Sequence, residues 1–401
     1  MNTISNGHPG AVVLGLNLTG LGLVRSLGRR NIEVKGIDSD GFEIASFSRY
    51  CKKTICPPDA LLNFLIERAK NSVDKEVLFP TADEYVLFVS RNREVLSRYY
   101  RFLLPDQEVL EAVLNKHKFY ELAMRHGVSV PMTIYCPDEQ ALIKQTGGFS
   151  YPCILKPIYI HEFRKIYPNL KAVSVHNRDE LIEKFREISG NGIKVCIQEI
   201  IPGADDQQYS ACFYLNRNSH PLAVFTQRKL RQHPVGFGVG TYVDNTWCSE
   251  IVDLAGEFLK KIGYAGICEV EFRRDPRDNQ YKMIEINPRL WTQHALAAKS
   301  NIDIAYTAYA DLSDIKEFPD SRRQTQKRIN WIFPPRDIRA SLVYLFRGEL
   351  RFKDWMRSFN GRKEWAIFAW DDLMPLLFSP VYFFKKLFYR GTGVNSIKAR
   401  V

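Results

Sequence analysis

The sequence predicts a mixed α/β chain: a doubly wound parallel sheet at the N-terminus, an α+β body, and a basic, aromatic helical tail. Three observations carry this. Residues 11–38 run strand, glycine turn, helix, strand. Residues 266–291 hold two strands of alternating apolar and acidic side chains around a turn. The last 81 residues differ sharply from the rest in charge.

Of the 56 Lys and Arg in 401 residues, 17 lie between Ser321 and Val401, against 6 Asp and Glu, which leaves 39 of each sign in the first 320. The same stretch holds 16 of the 50 aromatic residues, including Trp331, Trp355, Trp365 and Trp370. Chemistry on small molecules is therefore expected in the neutral body. The length fits two or three domains, each with its own core. Composition sets residues 321–401 apart as the tail, and the body is expected to divide into 1–112, 113–200 and 201–320. With 45% hydrophobic and 25% charged residues, the chain falls outside the disordered class. No uninterrupted apolar run reaches the ~18 residues of a membrane-spanning helix. Met1–Gly10 is polar and lacks the basic start of a signal sequence. Eight cysteines without a C-x-x-C pair read as reduced thiols and argue against zinc.

The first unit opens with Val12-Val13-Leu14, turns through Gly15, Gly20 and Gly22, and returns along Ile32–Ile37 to Asp38. Its glycines follow G-x-x-x-x-G-x-G rather than the dinucleotide fingerprint, so a substrate-binding sheet is favoured over a nicotinamide site. A strand Val77–Pro80 ends in Thr81-Ala82-Asp83-Glu84. Polar residues there serve either a ligand at the sheet's C-terminal edge or the cap of the next helix. A basic amphipathic helix then spans Asn115–His126, stopped by Gly127 and Pro131.

Tyr151–Pro157 is a strand with Lys156 in apolar surroundings, which suggests an anionic partner over a solvated edge. Further strands are expected over Lys171–Val175 and Lys194–Ile201. A helix begins at the capping box Asn177–Glu180. Two strands then flank the Asn216–Ser219 turn; the second leads into the cationic cluster Arg228, Lys229, Arg231 and the loop Gly236–Gly240. Ser249–Ile262 reads as a helix.

The hairpin over Gly266–Trp291 is the most informative segment. Centred on Asp278, it pairs Val270 with Ile286 and Phe272 with Ile284 on an apolar face. The polar face pairs Glu271 with Glu285 and Glu269 with Asn287, and Arg289 continues it. Opposed carboxylates repel by up to ~1 kcal/mol when solvated and by more when dry. A divalent cation would offset this, and two Glu with an Asn carbonyl suit Mg²⁺ or Mn²⁺. The alternative is an acidic face open to solvent. In the tail, aromatic and basic residues interleave through Leu373–Arg390. They either pack on the body or meet an anionic membrane surface, with nucleic acid a weaker candidate.

The order of these motifs resembles the ATP-grasp superfamily, over roughly 11–315: a helix Lys, Lys156-Pro157, Gln198-Glu-Ile-Ile-Pro-Gly203, Glu269-x-Glu271, then Glu285-Ile-Asn-Pro-Arg289. The branch it is most similar to is the biotin-carboxylase and carbamoyl-phosphate-synthase-like carboxylate–amine ligases. The resemblance implies two α+β subdomains clamping ATP, with Lys116 and Lys156 on its phosphates. Gln198, Glu199, Ile200 and Ile201 would read adenine, and Asp205 or Asp206 would hold ribose. Glu271, Glu285 and Asn287 would bind Mg²⁺, and Arg289 with Lys229 or Arg231 would stabilise an acyl phosphate. It further implies a carboxylate and an amine as substrates. The thiols and the basic tail, read by themselves, suggest the cytoplasm, or the inner face of its membrane. The sequence departs from the family at the phosphate flap, where Ile158–Tyr167 carries Arg164 and Lys165 in place of a glycine-rich run. Two other functions stay open: a nucleotide-dependent oxidoreductase, and a membrane-tethered ATP-binding protein without turnover.

Overall fold

The computed structural model describes residues 8–388, except 71, 73, 147, 160–162, 164, 165, 168–171 and 316–322 and the side chains of 386–388. Three sheets organise the chain. The first is parallel, in the order β3 (Cys51–Ile55), β2 (Val34–Asp38), β1 (Ala11–Leu14), β4 (Glu76–Pro80), β5 (Tyr100–Arg101). Strand β1 is wholly buried, as a central parallel strand must be. The turn after it admits only glycine at Gly15. Its φ is +93°, and a Cβ there would lie 2.5 Å from the Thr81 hydroxyl. That hydroxyl donates to the carbonyls of Leu14 and Gly15. Asn17 caps the following helix, Leu18–Gly28, and Asp38 accepts the Leu16 N–H at 2.7 Å. Thr81 thus pins the turn, and the helix Asp83–Arg91 starts from Ala82 with no side-chain cap.

The second sheet is antiparallel, in the order β6 (Thr133–Tyr135), β9 (Val195–Glu199), β7 (Cys153–Pro157), β8 (Val173–Val175). The third has seven strands: β14 (Tyr281–Asn287), β13 (Gly266–Arg274), β10 (Gln208–Leu215), β11 (Pro221–His233), β12 (Val239–Asp244), β15 (Ile329–Ile332), β16 (Arg362–Trp365). All its neighbours are antiparallel except β15 and β16.

Two expectations change here. In the β13–β14 hairpin Glu269, Val270 and Glu271 face Asn287, Ile286 and Glu285 as expected, but Phe272 faces Met283. A bulge between Glu271 and Phe272 absorbs Ile284, so buried Met283 takes the core position and Ile284 borders a cleft. The C-terminal segment is not only helical. Strands β15 and β16 extend the third sheet across residue 320, and Trp331 is 2% exposed in the main core. Helices Pro334–Phe346, Phe352–Arg357 and Met374–Phe388 follow or flank these strands.

Two aspartates fasten this segment to the first sheet's layer. Asp372 pairs with buried Arg25 at 2.9 Å and accepts from Ser48 and the Arg49 N–H. Asp371 takes both arms of Arg29 and the Tyr50 hydroxyl. Packing on the body buries Trp331, Phe333, Tyr344 and Tyr382, while Phe346, Phe352, Trp370 and Phe384 stay exposed. Lys386 and Arg390 lie outside the residues whose side chains are described.

Candidate active site

The second and third sheets enclose a cleft of about 750 Å³. Its floor is the polar face of the β13–β14 hairpin. Two-residue periodicity puts Glu269 and Glu271 on one side of β13, and antiparallel pairing sets Asn287 and Glu285 opposite them. Lys116, the first residue of helix Lys116–Arg125, reaches Glu285 at 2.9 Å. Lys229 of β11 stands 3.7 Å from Glu271, which also accepts from Gln208. The Asn287 amide bridges the acids, donating to Glu269 at 3.0 Å and Glu271 at 3.4 Å. A half-turn of that amide would complete an all-oxygen set suited to Mg²⁺.

Electrostatics explain why these groups tolerate one another. Glu269 is 6% exposed; burial, then the charge of Glu271, pushes its carboxyl up to about 8. Lys229, Ser210 and Arg289 act against that rise. Gln227 donates to Glu269 and is itself fixed by the Trp291 indole. Lys156 projects from β7 toward the same space and has no ion pair among the described residues. Burial, then Lys116, lowers its ammonium to about 8. Burial also disfavours charge on Lys116, but Glu285 and Tyr120 more than offset it and raise the group. Arg289 is held by Asp83 at 2.6 Å, which ties the C-terminal edge of the first sheet to the cleft.

The family description "Carbamoyl-phosphate synthase L chain, ATP binding domain" matches residues 226–310. D-aspartate ligase of Enterococcus faecium is 24% identical over 359 residues, 84% of this chain and 85% of that protein. The carbamoyl phosphate synthase large chain of Sulfurisphaera tokodaii is 24% identical over 221 residues, 52% of this chain but only 20% of that one. Among solved structures, a biotin carboxylase–ATP complex from Campylobacter jejuni superposes with a TM-score of 0.63 at 16% identity. The match covers 79% of this chain and 74% of that one. Over most of its length the chain is similar to ATP-dependent ligases of the ATP-grasp type. ATP and Mg²⁺ are the cofactors of this class, and the acidic hairpin face with the lysines around it fits both.

Most of the expected ATP-grasp residues border the cleft: Lys116, Lys156, Gln198, Glu199, Ile200, Ile201, Asp205, Lys229, Glu271, Glu285, Asn287 and Arg289. Gln198 is buried and turns its amide to Thr133. The Glu199 carboxylate accepts from the Met132 N–H and Arg277, and the Ile201 carbonyl accepts from Arg273. Asp206 faces a neighbouring cavity instead.

Arg231 also misses the acidic face. The β11–β12 register slips on either side of it, so the i, i+2 relation to Lys229 no longer puts both side chains on one face. Both arms of Arg231 instead grip Asp337, at 2.9 and 2.7 Å. Arg164 and Lys165 of the flap lie outside the described residues. The sequence reading assigned no role to Glu269, Gln227 or Ser210. Alternation with Glu271 was a signal for the first; the other two come from strands far away in the chain.

Proposed function

We propose that this ligase activates the carboxylate of an amino acid as an acyl phosphate and joins it to an amine. The observation that carries this reading is the paired carboxylates Glu271 and Glu285, flanked by Lys116, Lys156 and Lys229 in one cleft. Resemblance to a D-aspartate ligase across 84% of the chain supports an amino acid as the acyl donor.

In this reading Glu271, Glu285 and Asn287 hold Mg²⁺, which when bound neutralises phosphate charge. Lys116 and Lys156 bind the triphosphate oxygens. Gln198, Glu199, Ile200 and Ile201 border the base, and Asp205 the ribose. A substrate carboxylate oxygen bonds to the γ-phosphorus as its bond to the ADP oxygen breaks. Arg289 and Lys229 stabilise the charge on the transferred group. The amine nitrogen then attacks the acyl carbon, phosphate leaves, and the nitrogen loses its proton. Asp83 acts as a positioning residue by orienting Arg289.

The test is ADP release with D- and L-amino acids, hydroxy acids and bicarbonate, each with a panel of amines. Amino-acid-dependent release that Glu285→Gln abolishes supports the reading. Release that survives in Glu285→Gln would remove the metal assignment.

A second proposal concerns location. Among the described residues no helix is long and apolar enough to cross a membrane. The helix Met374–Phe388 packs Phe378 and Tyr382 against the body but exposes Leu377, Val381 and Phe384, spaced i, i+4, i+7. Trp370 just before it is 82% exposed. An apolar stripe on a segment of strong positive charge suits an anionic lipid surface. All eight cysteines are free thiols, which accords with the reducing, cytoplasmic side. Co-sedimentation with phosphatidylserine vesicles, lost in Leu377→Glu/Phe384→Glu, is the expected result; equal pelleting of that variant would eliminate this surface.

A further inference from the structure

A second cavity, of about 480 Å³, opens at the other end of the seven-stranded sheet. None of Lys116, Lys156, Glu271, Glu285 or Arg289 borders it. Its size falls within the ordinary range for small-molecule sites.

One wall is basic. Cross-strand pairing sets Asp244 beside Asn330 and Asn330 beside Lys363, and Arg328 joins them through its ion pair with Asp244 at 3.3 Å. Arg231 lies beside them over the Tyr242 ring, 4.1 Å from its centroid. Arg231 spends Nε and Nη2 on Asp337 and Ser358, and Nη1 makes no hydrogen bond among the described residues. Asn330 is 5% exposed, lines the cavity, and its Nδ2 has no hydrogen-bond partner among the described residues. A buried amide donor left unmatched is costly, and such a group calls for an acceptor. Burial, then Arg328 and Arg231, lowers the Lys363 ammonium, so positive charge is crowded here. The Asp206 and Glu349 carboxylates line the same cavity. A simple anion would answer the basic groups but bring its charge up to those acids, which Gln207 and Arg347 offset only in part.

We propose that this cavity is a second ligand site for a zwitterion, an α-amino acid or short peptide. Its carboxylate meets Asn330, Arg231 and Arg328, and its ammonium meets Asp206 and Glu349. The site is separate from the ligase reading but adjoins it, since Ala204, Asp205 and Glu349 border both cavities. Asp205 borders both cavities, and its carboxylate is held by the Gly236 N–H and the Tyr344 hydroxyl. Occupancy of the second site therefore bears on nucleotide affinity.

The test is calorimetric titration of the full chain with single amino acids of both hands and with dipeptides, against acetate, methylamine and inorganic phosphate. An amino acid or dipeptide is expected to bind, with affinity at least tenfold weaker in Asn330→Leu and in Arg328→Ala. Retained Mg-ATP binding in both variants checks that the fold is intact. Arg289→Ala, which alters the catalytic cleft, should leave zwitterion binding unchanged. Three results would overturn the proposal: no zwitterion binding, phosphate or acetate binding as tightly as the zwitterion, or binding that Arg289→Ala removes while Asn330→Leu and Arg328→Ala keep it.

Discussion

The two ends of the seven-stranded sheet solve opposite electrostatic problems. At the β13–β14 end three carboxyls, Glu269, Glu271 and Glu285, crowd one face and are offset by Lys116 and Lys229. At the β12–β15–β16 end Arg231, Arg328 and Lys363 crowd together and are offset by Asp337 and Asp244. The acidic end faces a cleft, and its compensating lysines lie 20% or less exposed. The basic end has its main counter-charge, Asp337, wholly buried in a helix packed on the sheet. A charge cluster answered at a cleft leaves its groups free for ligand chemistry; at the basic end the buried partner takes up Nε and Nη2 of Arg231 and leaves Nη1 over.

Substitutions can break this contrast. The largest effect is expected from Asp337→Ala, which strands buried Arg231 without its partner. Loss of one member of a buried pair costs about 3–5 kcal/mol, to be read as a lowered denaturation midpoint. Glu285→Gln at the acidic end should do the reverse, leaving stability nearly intact. It should lower ADP formation by roughly 10²–10³-fold, the scale for removing one transition-state charge partner. Asp83→Asn should be milder, with kcat/KM down on the order of tenfold. The loss should concentrate in the carboxylate substrate, because among the described residues Asp83 forms its ion pair with Arg289.

A pH profile sharpens the comparison further. Lys156 is lowered to about 8 in the free protein, so its charged fraction falls as pH rises through 8. Only the charged form holds phosphate, so the KM for ATP should climb above that pH. Lys156→Arg, which stays charged, should flatten the climb. The linkage to stability has the opposite sign. Between pH 8 and the usual lysine value the unfolded chain binds more protons, so deprotonating Lys156 relieves a cost of burial. A KM that stays level from pH 7 to 9 in the native enzyme would contradict the role given to Lys156. The smallest effect belongs to Leu377→Ser on the exposed stripe, expected within about 0.5 kcal/mol of the native stability.

Legibility followed sequence separation. The acidic face was readable because both its strands lie within 22 residues and share one turn, so period-two alternation settles which side chains oppose. Even there, one bulge moved Ile284 out of the core, since periodicity carries no signal for an inserted residue. Lys229 and Arg231 show the limit. Their spacing is that of strand neighbours on one face, yet a slipped register against β12 sends them to different cavities. Asp83 could be read as a cap or as a ligand group. Its actual partner, Arg289, lies 206 residues away.

The sequence by itself determined the parallel N-terminal sheet and the acidic face of the β13–β14 hairpin, because short-range periodicity and turn chemistry act along the chain. Only the tertiary structure decided that the basic tail completes the third sheet through Trp331. It likewise decided that Arg25 is neutralised by Asp372 and that Arg231 belongs to Asp337. Those outcomes turn on the desolvation of charges brought together from more than 100 residues apart, and no local pattern encodes which partner will meet them.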